Sequence, residues 1–122
     1  MSVITNPLAI TYNGVAKSLP RINQDNYGSE YFLAEATGTY RVRIRHTTDS
    51  PQKDGQSLDR HNVEFTRVIF GIAPAPDQTI QAYLVLRDNP KVSTPTEVGY
   101  ANKALRDLCV DAITAELYGW SN

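Results

Sequence analysis

The chain is short of the residues that most often carry chemistry. It has one cysteine, Cys109, so an internal disulfide is excluded and the fold must stand on packing alone. Neither HExxH nor paired CxxC occurs, which removes the distinctive zinc spacings. Seven glycines are scattered and never cluster into a phosphate-cradling loop, and no serine sits in a GxSxG elbow, so nucleotide hydrolysis and acyl transfer lack support. No apolar run approaches the roughly 18 residues of a membrane span, and the first nine residues show neither a secretory signal nor an organelle address. A cytosolic setting without a membrane partner is therefore expected. Charge of one sign is also missing. With 12 Lys+Arg against 13 Asp+Glu, the net charge is −1, and any nucleic-acid role must come from where the basic residues are placed.

What is present is β-structure first and helix last. The 122 residues suit one domain, 1–122. Leu8–Tyr12 and Val15–Leu19 flank Asn13-Gly14, the dipeptide best suited to a type I′ turn, and predict an N-terminal hairpin over 8–19. Pro20 and the polar stretch Asn23–Asn26 interrupt it. An antiparallel sheet is expected over 28–88, beginning with Gly28 to Glu35. In the strand Thr39 to Thr47, Tyr40, Val42, Ile44 and His46 alternate with Arg41, Arg43 and Arg45. A polar stretch from Asp49 to Asp59, with Ser50-Pro51 and Asp54-Gly55, suits an exposed hairpin loop. Arg60 to about Ile72 then opposes Val63 and Phe65 to Asn62, Glu64 and Thr66. Gln78 to Arg87 opposes Ile80, Ala82, Leu84 and Leu86 to Gln81, Tyr83, Val85 and Arg87. Thr94-Pro95-Thr96-Glu97 combines an N-cap, a proline at the first helical position and a capping-box glutamate. It opens a helical region over 95–118, one helix or two with a break near Cys109 to Asp111. The fold class is α+β, with the helical region expected over one sheet face. Cys109 is expected to be buried on the helix, and Trp120 to anchor a core or an interface.

The opposite face is then cationic and rich in hydrogen-bonding groups. Same-face residues on a strand are about 7 Å apart, roughly the phosphate spacing of a polynucleotide, and guanidiniums pair well with phosphates. An aromatic among them can stack a base. The bland alternative is a solvated face of exposed ion pairs balanced by Glu64 and other carboxylates. A lone amphipathic region also leaves strand edges and a helix flank unpartnered, which dimerisation edge to edge would remedy.

The strings INQDNYGSEYFL (22–33), YRVRIRHT (40–47), DRHNVEFT (59–66) and IQAYLVLRD (80–88) resemble coat proteins of the single-stranded RNA bacteriophages, the leviviruses, in particular the branch infecting Caulobacter-like hosts. The resemblance implies a coat subunit that dimerises through sheet and helices, assembles into an icosahedral shell in the bacterial host cytoplasm, and packages single-stranded viral RNA on the inner sheet face. In that family an RNA hairpin bound to the coat dimer also represses translation. By position it implies RNA contacts at Arg43, Arg45, Asn62, Glu64, Thr66, Tyr83 and Val85. Arg41 and Arg87 join them by alternation. Tyr83 is similar to the tyrosine on which the family stacks a base. Glu64 stands where better-known members have lysine and Val85 where they have asparagine, and Arg43 and Arg45 replace small hydroxyl residues. These departures shift the balance from base reading to phosphate contact. The hairpin is implied to lie on the outer surface, and the loop from about Ile72 to Gln78 to make contacts around symmetry axes.

No cofactor is required. Divalent cations bridging carboxylates between subunits are open to a shell, although no acidic cluster has EF-hand-like spacing. His46, His61, Asp59 and Glu64 can be drawn together as a metal site, but His46 falls on the apolar face. Two other function classes remain open: a non-assembling dimeric RNA-binding regulator, and a small dimeric α+β enzyme, which would need a concave pocket.

Overall fold

A computed structural model describes residues 4–51, 53 and 55–120. Asp54 of the Asp54-Gly55 turn and the first three residues lie outside them. The chain opens with β1 (Leu8–Tyr12) and β2 (Val15–Leu19), paired from Leu8↔Leu19 to Tyr12↔Val15. Asn13 and Gly14 at the turn have φ of 52° and 75°. Two consecutive left-handed residues are what a type I′ turn requires, which is why Asn-Gly predicted it.

Five further strands follow in a meander, each antiparallel to the next: β3 (Arg21–Gln24), β4 (Gly28–Glu35), β5 (Gly38–Thr48), β6 (Asp59–Ile69) and β7 (Gln78–Asp88). β3 is a strand where a break was expected. Three of its four residues are polar and the fourth, Ile22, is exposed, so no alternation announces it, and pairing with β4 makes it a strand. β6 ends at Ile69, earlier than the apolar run through Ile72 suggests. Gly71 N–H donates to Asp77 Oδ1 at 2.9 Å, drawing the chain into the loop before β7.

The apolar face of the sheet is covered by the N-terminal hairpin, not by the helical region. Leu19, Tyr31, Tyr40, Val42 and Ile44 form the buried core, with Leu8, Ile10, Tyr12, Leu33 and Phe65 packed against it. The inward residues of β1 and β2 thus rest on β4, β5 and the part of β6 around Phe65. Tyr12 meets Tyr40 edge-on at 5.5 Å between ring centres and lies 6.1 Å from Phe65. Arg67 enters this apolar side too. It is 6% exposed, its guanidinium 4.2 Å from the Tyr40 ring centre and 5.4 Å from that of Tyr12. At the hairpin's flank, Lys17 Nζ donates to Glu35 at 3.0 Å.

The helical region is two helices, α1 (Pro95–Leu108) and α2 (Asp111–Tyr118), divided at Cys109 and Val110. Thr94 caps α1, its hydroxyl accepting from Glu97 N–H at 3.3 Å, and Pro95 stands in the first turn. Neither helix buries a residue. α1 meets the sheet at β7 and departs from it, leaving Tyr100, Leu105, Leu108 and Leu117 exposed. The expected helical cover is therefore absent within one chain, because β1 and β2 already occupy the half of the apolar face nearest β4 and β5. Cys109 is exposed rather than buried, since it forms the C-cap of a helix that buries no residue, and Trp120 is 93% exposed and anchors no core here.

Candidate nucleic-acid interface

On the face away from the hairpin, the register lines up the polar residues in rows. Phe32, Arg41, Thr66 and Gln81 stand side by side across β4 to β7, followed by Glu30, Arg43, Glu64 and Tyr83, then Gly28, Arg45, Asn62 and Val85. A fourth row holds Thr47, Arg60 and Arg87. All nine sequence-predicted contact residues, Arg41, Arg43, Arg45, Asn62, Glu64, Thr66, Tyr83, Val85 and Arg87, thus share one face. Unbroken alternation over three 11-residue strands is the cause, because a pleated strand sends every second side chain the same way.

Tyr83 is 59% exposed, with its ring available to a stacking partner. Its hydroxyl donates to Gln81 Oε1 at 3.0 Å. Gln81 Nε2 in turn donates to Glu64 Oε1 at 3.4 Å, which also accepts from the Thr66 hydroxyl at 3.3 Å. This chain of bonds ties down the polar ends around Tyr83.

The arginines are less free than their spacing implies. Arg41 and Arg43 share one carboxylate, Glu30 of β4; Arg43 Nε stands 3.3 Å from Glu30 Oε1 and the Arg41 guanidinium is in direct contact with that oxygen. Arg41 also stacks on Phe32, 4.8 Å from its ring centre. Arg45 faces Asp25 of the β3–β4 turn loosely at 3.9 Å, and Arg87 pairs with Asp49 at 3.0 Å. Arg60 pairs with no described carboxylate. Five guanidiniums thus meet four carboxylates, counting Glu64. The face expected to be cationic is thus largely self-neutralised, as the alternative of exposed ion pairs had it, with Glu30, Asp25 and Asp49 as the paired carboxylates.

Sequence reasoning missed Arg60, although continuing the alternation two residues before Asn62 finds it. It also missed Glu30, Asp25 and Asp49. Their charges were visible, but only the register of β4 on β5 brings Glu30 opposite Arg43.

The drawn metal site does not form as such. His46 and His61 are cross-strand neighbours on the hairpin side, with Nδ1 atoms 2.9 Å apart, and His61 Nε2 is 3.0 Å from Asp88 Oδ1. The Asp88 carboxylate accepts from His61 Nε2–H, and the two Nδ1 atoms lie within hydrogen-bond distance of each other. Glu64 faces the other way. Among the described residues no group of three or more His, Cys, Asp or Glu can hold a metal ion, and no helix is long and apolar enough to cross a membrane.

One face of the sheet is thus polar and the other is backed by the hairpin, and neither helix buries a residue. Comparison with curated proteins finds no match. The family described as "Phage phiCb5, coat protein" matches residues 5–89, which span the hairpin and all five sheet strands and stop before α1. With most of the chain matched, and with the α+β order of hairpin, antiparallel sheet and C-terminal helices that a levivirus coat subunit has, the chain belongs to the phage phiCb5 coat protein family, a self-assembling structural protein of the virion and not an enzyme.

Proposed function

We propose that this coat subunit acts as a homodimer whose sheet carries single-stranded RNA on the Arg43–Tyr83 face and whose dimers close into an icosahedral shell around that RNA. The observation that carries the reading is the two-sidedness of the sheet. Arginines and an exposed tyrosine stand on one side, and the hairpin-covered core on the other.

The dimer follows from what one chain leaves uncovered. β7 is an edge strand of 11 residues with an unpaired side, the kind of edge proteins cover or pair. Beside the hairpin, Val42, Ile44, Val63 and Phe65 floor an apolar groove, and Ile80 and Ala82 extend that face unshielded toward β7. The helices carry matching apolar residues, Tyr100, Leu108 and Leu117 among them, that stand exposed. Pairing β7 with β7 of a second copy would satisfy both edges and lay each helix pair across its partner's bare apolar face. An isologous contact of this kind covers sheet and helix in one step.

On the polar face, phosphate contacts by Arg43, Arg45, Arg60 and Arg87 would supply most of the affinity, and stacking on Tyr83 about 1–3 kcal/mol more. Glu64 and Val85 favour general packaging over recognition of one repressor hairpin. Electron microscopy of the recombinant protein, with extraction of nuclease-protected RNA, tests the reading. Uniform RNA-filled spheres are expected. Discrete dimers that bind RNA would replace it with the regulator reading, and spheres that form equally well without RNA and exclude it would remove the packaging role.

A further inference from the structure

We propose that Glu30 is a built-in competitor for RNA phosphate: its carboxylate occupies the anion position between Arg41 and Arg43 and sets the affinity of the face by having to be displaced. The inference rests on the RNA reading above and adds its regulation.

The geometry is specific to this residue. Glu30 sits directly across from Arg43 in the β4–β5 register and reaches Arg41 one row along, so a single oxygen serves two guanidiniums. Its side chain is only 19% exposed, against 56% for Asp25, and Asp25 stands 3.9 Å from a single arginine. Carboxylate and phosphodiester offer a guanidinium the same thing, a monoanion with two forked oxygens. Both cannot occupy the space between Arg41 and Arg43. RNA binding there is an exchange, in which the phosphate replaces Glu30 and the carboxylate returns to water.

A structural role alone does not explain the arrangement. Arg41 is already held by Phe32, and Glu64 lies beside Arg43 on the other flank. Sharing one carboxylate between two arginines halves the net charge of that pair of sites, from +2 to +1, and lowers its field for any polyanion. The consequence suits a shell. A single dimer holds RNA weakly, and only many linked copies hold it firmly, so loose subunits are not sequestered on unrelated nucleic acid.

The test compares Glu30→Gln with Asp25→Asn, which alters net charge equally on the same face at a loose pair. The probe is fluorescein-labelled decauridylate, titrated by anisotropy from 50 to 300 mM salt. Each phosphate contact on a single strand contributes about 0.7 to the salt slope, and about 5-fold in affinity near 0.1 M salt. Glu30→Gln is expected to tighten binding by roughly 5- to 25-fold and steepen the slope by about 0.7–1.4, for one or two freed guanidiniums. Asp25→Asn should change affinity by less than about 2-fold, as an exposed pair of this length does. Equal gains in both variants would make the effect one of net charge and overturn the proposal. So would a Glu30→Gln protein that melts as wild type but binds no better. Arg43→Gln and Tyr83→Ala, run alongside, separate the two failures. If they weaken binding while Glu30→Gln is silent, RNA still binds the face and only the competitor role falls; if all three are silent, the RNA reading falls with it.

Discussion

Replacing Arg67 probes the tie between hairpin and sheet. Its guanidinium stacks on Tyr40 at 4.2 Å and Tyr12 at 5.4 Å, and donates to Val68 O at 2.6 Å and Thr39 O at 3.3 Å. A desolvated cation–π contact contributes about 2 kcal/mol, a second longer one about 0.5–1, and a charge-assisted hydrogen bond about 1.5–3. Against that stands the cost of burying the charge, several kcal/mol after relaxation, with Nε left without a hydrogen-bond partner and no ion pair to a carboxylate among the described residues. The two sides nearly cancel, so Arg67→Met, which keeps the stem and discards the charge, should lie within about 1.5 kcal/mol of wild type. Arg67→Ala also empties the space between the two rings and should cost about 3–4 kcal/mol. For a chain of this size that lowers Tm by roughly 10–15 °C. Thermal unfolding by circular dichroism, at one protein concentration because association adds stability, measures both. The reasoning is refuted if Arg67→Ala loses less than about 1 kcal/mol, or if Met is as damaging as Ala.

Four further outcomes are expected. Gly38→Ala should destabilise by about 1–3 kcal/mol in chemical denaturation, because a Cβ there overlaps the Val68 carbonyl oxygen and the Arg67 guanidinium. Arg43→Ala with Arg45→Ala should weaken RNA binding regardless of sequence and flatten the salt slope by about 0.7 per lost contact; unaltered RNA content in purified particles would count against phosphate contact. Tyr83→Ala should reduce affinity for short single strands by about 1–3 kcal/mol with the slope kept, and a changed slope with kept affinity would argue against stacking. The hydrogen bond from Lys17, aided by its charge, holds the Glu35 carboxyl below the ordinary carboxylate range, and the same bond raises Lys17 above the ordinary lysine range. Glu35 therefore adds stability that is present above its unfolded-state pKa and lost as pH falls through the lower folded one, while the Lys17 share is lost only as pH rises through its elevated value. Glu35→Gln should remove the acid-side dependence of melting that comes from this pair, and an unchanged pH profile would show that the bond does not couple to folding.

The polar face was legible because β5, β6 and β7 alternate without a slip, and period-two patterning needs no partner to be recognised. The hairpin and the α1 cap were legible for a similar reason, since Asn13-Gly14 and Thr94-Pro95-Thr96-Glu97 act through their own backbone. Short β3 escaped notice because its polar residues acquire strand geometry only from pairing with β4. The helical cover was misjudged because an amphipathic pattern says that an apolar stripe will be buried, not by which chain. Nothing local in the sequence marks Arg67, on the apolar side of β6, as the residue that Tyr12 and Tyr40 enclose.

Sequence alone determined the order of every element but β3, the turn at Asn13-Gly14, and the sorting of Arg41, Arg43, Arg45, Arg87 and Tyr83 to one side of the sheet, since each follows from local sterics and strand periodicity. Tertiary structure decided that the hairpin, rather than the helices, shields the core, and that Glu30 stands between Arg41 and Arg43. Both depend on which strand lies beside which and in what register. Those contacts join residues far apart in the chain, and their charges and surfaces interact only after the sheet has closed the distance between them.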